Sequence, residues 1–414
     1  MWQLTYSLLV SLALPFFVVY SLTKKKIRSN LGERLFPRPL DRSLENGVWI
    51  HAASLGEAVI AENLVNYLRR KMTNPFLITT NTYYARDLIR MKFRHSLVVR
   101  SLPIDLQASI VRFMGRPKLA ALLLVETEIW PNLIWTAKKR RIPVIIVNGR
   151  ISDRTLGRYS RLSFFLSKVL SSVDLVLAQS EEHARRFVSL GMAPSNVVNT
   201  GNLKYYREIG GNPHAFRKEN VVTFGSLKEK ELPILFPVID EIRKRFPDLS
   251  IFVAPRDLSL AAAMERQLSA HHEVARYSVI KGDQGAKGDV VLVDTVGDLF
   301  DIYARSIVAF VGGSLAPYGG QNVLEPLFVG TPVLFGPYVE NFKTIADEIL
   351  SRGAGFMARG AEDLLSIMTR ILTDPEIRRG LAEAGKTVLE MQKETMEKAA
   401  HFISEIVWKN SRSS

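Results

Sequence analysis

The apolar run Ser306-Ile307-Val308-Ala309-Phe310 passes directly into Val311-Gly312-Gly313-Ser314, and Gly319-Gly320-Gln321-Asn322-Val323-Leu324-Glu325-Pro326 follows. A short apolar run stopped by glycines predicts a strand buried on both faces. Leu327-Phe328-Val329 then predicts a helix closed by Gly330. A buried strand, a glycine loop and a helix in succession belong to an α/β chain with a parallel sheet. The same succession can hold a phosphate, because glycine lets the backbone approach and main-chain N–H groups point at the anion. The spacing is neither the dinucleotide fingerprint nor the P-loop. Glu325, one helical turn inside, would suit a ribose diol beside that phosphate. A plainer role is equally compatible: Asn322 caps the helix and Glu325 closes a capping box.

The unit recurs along the chain. Val48–Ala53, Phe76–Thr80, Ala120–Val125, Pro143–Val147 and Leu175–Ala178 read as strands. Ser54–Lys71 reads as a helix with Ala58, Ala61, Leu64, Val65 and Leu68 on one face. Near Gly201 the pattern restarts. Val221–Ser226, Leu249–Ala254, Val290–Val293, Ile307–Val311 and Pro332–Phe335 read as strands, with a helix over Glu231–Phe246. Ala361–Trp408 reads as helices alone. Two doubly wound halves are expected, with ligands beyond the carboxyl ends of the strands, in a cleft between the halves.

The chain's net charge of +14 suits anionic partners. Leu4–Leu22 is apolar over about 19 residues, near the length that crosses a bilayer. Lys24, Lys25, Lys26 and Arg28 follow it, and no Lys or Arg precedes it. A cleaved signal carries its cations on the other side. The expectation is an N-terminal anchor with the rest of the chain in the cytoplasm and the cations on anionic lipid. Pro15 and the hydroxyl residues leave a helix lying in the interface as the alternative to a span. The basic clusters, Lys138-Lys139-Arg140-Arg141 among them, do not form one aromatic-interleaved stripe, so nucleic acid is not an expected partner. Arg158–Leu166 mixes arginine with Phe and Leu and reads as either an amphipathic core helix or one that touches lipid.

Cysteine is absent, which removes disulfides and thiolate metal sites. There is no Asp-x-Asp, and no Gly-x-Ser-x-Gly elbow. His271-His272-Glu273 is a weak metal candidate, better read as an exposed turn. No metal or cofactor is expected.

Carboxylates stand where strands end. Glu57 closes Ser54-Leu55-Gly56-Glu57 after the first strand, either as a base or as a capping-box residue. Glu126 and Glu128 follow the apolar run Leu122–Val125, and strand alternation puts them on one side. A carboxylate leaving a core is costly unless paired. Lys204, in Gly201-Asn202-Leu203-Lys204, could meet an anionic donor. Arg256, after Pro255, could hold a phosphate bidentately.

Taken together these motifs resemble the 3-deoxy-D-manno-octulosonic acid (Kdo) transferases. The resemblance runs over nearly the whole chain. It implies a GT-B fold: two Rossmann-like doubly wound α/β domains facing across a cleft, with an N-terminal membrane-anchoring helix. The expected divisions are an anchor over 1–23, an acceptor domain over 24–204, a CMP-Kdo domain over 205–360 and helices over 361–414. It implies an inverting transfer of Kdo from CMP-Kdo to the 6-hydroxyl of a lipid A precursor at the cytoplasmic face of the inner membrane. Glu57 would be the base, with Glu126 and Lys204 supporting the transition state. Pro255, Arg256, Val296, Gly297, Asp298, Asn322, Val323, Leu324 and Glu325 would bind CMP. Leu227, and Asp257 after Arg256, stand where the family often carries His. The alternatives are a GT-B enzyme with a UDP-sugar donor and a non-catalytic membrane-attached nucleotide-binding protein.

Overall fold

A computed structural model describes residues 2–23, 30–93, 96–208, 218–281 and 289–412. The cationic stretch Lys24, Lys25, Lys26 and Arg28 lies outside them. The chain forms two compact units, Met1–Arg207 with Gln392–Ser414, and Glu208–Met391.

The first unit carries β1 (Val48–His51), β2 (Phe76–Thr80), β3 (Val98–Ser101), β4 (Ala121–Val125), β5 (Val144–Gly149), β6 (Leu175–Ala178) and β7 (Val197–Asn199). They make one parallel sheet in the order β3-β2-β1-β4-β5-β6-β7. Alternate side chains of β1 and β4 enter opposite cores. Val48, Ile50, Ala121, Leu123 and Val125 pack with Ala58, Ala61, Leu64, Val65 and Leu68 of the helix Leu55–Leu68. Trp49, Leu122 and Leu124 pack on the other face with Leu133, Ile134 and Ala137 of the helix Pro131–Lys139. Coverage on both faces is why these strands read as unbroken apolar runs. Each fully buried Leu or Ile contributes about 1.5–3 kcal/mol. From Gln392 onward the last helix, Pro375–Arg412, rejoins this unit, and Met396, Ala399, Ala400, Ile403 and Val407 enter its core.

The second unit repeats the plan with β8 (Val221–Leu227), β9 (Ser250–Pro255), β10 (Val274–Arg276), β11 (Val290–Leu292), β12 (Val308–Val311), β13 (Val333–Phe335) and β14 (Gly355–Met357). The order is β10-β11-β9-β8-β12-β13-β14, again all parallel. Phe224, Phe310 and Leu334 pack against Leu235, Val238, Ile239 and Ile242, and against Leu364, Met368 and Ile371.

Each sheet has a switch point at its centre where the strand order turns from falling to rising, β1/β4 in the first and β8/β12 in the second. Those switch points open at the carboxyl ends of the strands, where ligands bind in open α/β sheets. Glu57 and Glu126 follow β1 and β4; the glycine loop follows β12. The helix after that loop lies earlier than the sequence suggests, over Leu324–Leu327, and the chain turns out of it before Gly330 (φ 67°).

The helix Trp2–Thr23 is long and apolar enough to cross a membrane. The arginine- and phenylalanine-bearing stretch 158–166 is split between the helices Asp153–Ser160 and Ser163–Leu170, with Leu162 and Phe164 exposed and Leu166 buried.

Candidate active site

In the first unit, Ser54 caps the helix Leu55–Leu68 through its side chain. The Ser54 hydroxyl donates to Glu57 Oε1 at 2.7 Å, and the Ala53 N–H donates to Oε2 at 2.7 Å. The capping arrangement is therefore formed, and it fixes both oxygens of a carboxylate that is only 7% exposed. Burial raises the Glu57 pKa from 4.5 to about 7; the Ser54 and Ala53 hydrogen bonds oppose the rise, and the charges of Glu128 and Glu126 add to it. A buried capping carboxylate with a pKa near neutrality can also serve as a general base.

Glu126 leaves β4 with φ 60°, a left-handed conformation uncommon outside glycine. Its amide donates to the Val147 carbonyl at 2.8 Å. Burial raises its pKa, and Arg150 and Lys204 pull it back down. Glu128 accepts from Trp130 Nε1 at 2.9 Å and lies 3.7 Å from Nε2 of the fully buried His51. His51 Nδ1 sits 3.1 Å from the Thr79 carbonyl.

Lys204 is exposed on the short turn Leu203–Tyr205. Asn148 fixes that turn. It is buried at a bulge at the end of β5, with φ 59°, and its Oδ1 accepts the Leu203 N–H at 2.9 Å. Asn148 and Arg150 were not singled out from the sequence. An asparagine just before a Gly-Arg at a strand end was the available signal, since asparagine tolerates positive φ.

In the second unit the loop after β12 is built around an internal anion. Glu231 is fully buried. Its Oε2 accepts the Gly313 amide at 2.6 Å, and its Oε1 accepts the Ser314 and Leu315 amides at 2.8 Å each. The Lys228 amide adds a bond at 3.0 Å. Gly313 has φ 69°, which lets consecutive N–H groups converge. The amides that the sequence offers to a phosphate at 313–315 are thus filled by a carboxylate of the chain itself. Gly225 allows the close approach beside them: a Cβ there would lie 1.9 Å from the Tyr303 hydroxyl.

Asn322 Oδ1 accepts the Leu324 amide at 3.2 Å and its Nδ2 donates to Glu325 Oε1 at 3.4 Å; the N-cap of the helix is Val323, without a side-chain cap, so the two residues meet side chain to side chain rather than as the expected capping box. Val323 and Leu324 are buried, so their side chains are core and only their main chain could meet a ligand. Pro255 ends β9 and is buried. Arg256 is exposed, its amide held by the Leu227 carbonyl at 2.9 Å. Val296 is exposed, Gly297 has φ 96°, and Asp298 is paired with Lys281, which holds its carboxyl below the usual range. Asp298 is therefore already committed to a cation. His272 Nε2 lies 2.6 Å from Asp240, and among the described residues no group of three or more His, Asp or Glu could hold a metal.

The family model described as 3-Deoxy-D-manno-octulosonic-acid transferase (kdotransferase) matches residues 29–207. The chain is 32% identical to the 3-deoxy-D-manno-octulosonic acid transferase of Bordetella pertussis over 82% of each chain. It belongs to the Kdo transferase family.

It is also 33% identical to a bifunctional glycosyltransferase/methyltransferase of Fusobacterium nucleatum subsp. nucleatum, over 88% of this chain; the chain spans 58% of that protein's length. Among solved structures, a UDP-GlcNAc 2-epimerase from Neisseria meningitidis matches with a TM-score of 0.59 at 14% identity, over 88% of this chain and 100% of that one. That likeness speaks for the fold alone, and with the two parallel sheets it puts this Kdo transferase family member in the GT-B class. The three residues that the resemblance makes catalytic, Glu57, Glu126 and Lys204, all lie in the first unit. Charge interactions link Glu126 with both Glu57 and Lys204. All the residues it gives to the donor lie in the second unit.

Proposed function

We propose that this chain transfers Kdo from CMP-Kdo to the 6-hydroxyl of a lipid A precursor with inversion of the anomeric centre. The observation that carries this reading is the Glu57 carboxylate. It is buried at the β1/β4 switch point, oriented through both oxygens, and its pKa is raised to about 7.

The acceptor oxygen attacks the anomeric carbon from the face opposite CMP. The bond from that carbon to the phosphate oxygen breaks and its electron pair leaves with CMP. Glu57 takes the hydroxyl proton as the new bond forms, a contribution of about 10²–10⁴-fold. Each Glu57 oxygen keeps acceptor capacity beyond its one bond to the protein. Lys204 and Arg150 balance Glu126, and the transition state, oxocarbenium-like by analogy with glycoside chemistry, is stabilised beside it. In the second unit Arg256, Pro255, the turn 296–298 and the main chain of 322–325 take the cytidylate. Because Glu231 fills the amides of 313–315, phosphate charge falls to Arg256 and to groups nearer Asn322. The sequence has no Asp-x-Asp pair, and we assign no metal to the reaction.

The test is mass spectrometry of the lipid after CMP-Kdo and a tetraacylated lipid A precursor are incubated with the protein. A product heavier by one or more Kdo residues, with CMP released, is expected. Unchanged lipid and intact CMP-Kdo in several detergents, or transfer from a UDP-sugar instead, would overturn the proposal.

A further inference from the structure

The helix Trp2–Thr23 is applied along the first unit rather than projecting from it. Gln3, Ser7, Val10, Leu14, Phe17 and Ser21, spaced four and three apart, are half-buried or buried and form one stripe. Contacts fix the start of the helix. The Trp2 ring lies 5.1 Å from Phe164, and the Tyr6 ring lies 5.7 Å from Phe165 and 6.2 Å from Trp135. The Ser7 hydroxyl donates to Asn132 at 2.9 Å, and Tyr6 hydrogen-bonds the buried Asp105.

The polarity of this helix is inverted. Its inward stripe contains Gln3, Ser7 and Ser21, whereas Leu4, Leu8, Leu12 and Phe16 face outward at 70%, 61%, 63% and 79% exposure. Leu9, Val19 and Leu22 are also exposed, and Leu162 and Phe164 stand exposed near its start. An apolar surface of this extent needs an apolar neighbour. A helix of 22 residues is roughly 33 Å long, about the thickness of the hydrocarbon core. If it crossed a bilayer with the folded unit on the far side from Met1, Trp2 would stand a membrane's width from Phe164. The two rings are in contact. The packing favours the interfacial alternative over the span.

Cations lie at both ends. A cavity of about 600 Å³ at the start is lined by Trp2, Leu4, Trp135, Lys138, Lys139 and Lys168, with Lys138 also paired to Asp174 at 2.6 Å. At the other end Lys24, Lys25 and Lys26 follow in sequence. We propose that the outer face of this helix, with Leu162 and Phe164, lies flat in the interface of an anionic bilayer, so that the chain is held on one leaflet and does not cross it. This reading is independent of the chemistry proposed above.

The chain has no cysteine, so single-cysteine variants can be spin-labelled cleanly. Leu4→Cys, Leu8→Cys, Leu12→Cys, Phe16→Cys and Val19→Cys, in the full-length protein on phosphatidylethanolamine–phosphatidylglycerol vesicles, should all report a similar shallow depth by oxygen and nickel-chelate collision. Ser7→Cys and Leu14→Cys should be shielded from both reagents. Binding should weaken at least several-fold on phosphatidylcholine vesicles. A depth that changes steadily along the helix and is greatest near Leu12 would overturn the proposal in favour of a span. Water-like exposure of all five outward positions would overturn it altogether, and equal binding to neutral vesicles would overturn its anionic part.

Discussion

Ser54 and Glu57 hold one another: the Ser54 hydroxyl donates to Glu57 Oε1 at 2.7 Å, and its oxygen accepts the Glu57 amide at 3.3 Å. Capping the helix and orienting a base are one arrangement here, since the same Ser54 hydroxyl that caps the helix also restrains the carboxylate and tempers its raised pKa. Ser54→Ala should therefore act twice. Loss of the cap costs about 1 kcal/mol. Loss of a bond that favours the charged form lifts the Glu57 pKa further above 7, so the acidic limb of the kcat/KM profile should move to higher pH. A pH profile beside a thermal melt checks both.

Glu57→Gln should reveal what the buried charge costs. The folded-state pKa of Glu57, about 7, lies above its ordinary value of 4.5. Between those values the folded chain binds more protons than the unfolded one, so this group's contribution to stability falls as pH rises and is level above about 7. Gln keeps an acceptor for the Ala53 amide and carries no charge. The variant's Tm relative to wild type should rise from pH 4.5 to 8, measured by calorimetry across that range.

Glu231→Ala should loosen the loop that precedes the donor residues. Three buried amides lose their acceptor, each worth about 1–3 kcal/mol when left unpaired. A Tm fall of several degrees and weaker CMP binding by titration are expected, with Glu231→Gln intermediate.

Much of this architecture could be read from the residues, and the exceptions have physical reasons. Ala121–Val125 declares itself because both faces are covered and all five side chains are apolar. Val98–Ser101, Val274–Arg276 and Gly355–Met357 did not: they lie at the sheet edges or are short, and Arg100, Arg276 and Gly355 break their apolar pattern. Glu57, Glu126 and Lys204 were visible as charges set at the ends of apolar runs. Glu231 was not, because its partners lie 82–84 residues away and its burial depends on the folded loop. The same distance explains why the amides at 313–315 read as open to phosphate. Asn148 gave only an indirect signal, since asparagine permits a positive φ without requiring it.

Asn148→Ala should lower kcat while leaving CMP affinity unchanged. The substitution removes the acceptor for Leu203 and puts alanine at φ 59°, so the turn that carries Lys204 toward Glu126 is freed. Asn148→Gly keeps the backbone conformation and loses only the bond. If it loses activity as well but keeps a near-normal Tm, the effect belongs to positioning rather than strain. Steady-state kinetics with CMP titration separates the two.

The most direct measurement is the single-turnover rate of Kdo transfer from CMP-Kdo to the tetraacylated precursor by wild type and Glu57→Gln, with CMP affinity measured on the same samples. The account predicts a fall of about 10²–10⁴-fold in the transfer rate with CMP binding unaltered. A variant that transfers at close to the wild-type rate would contradict the assignment of Glu57 as the base.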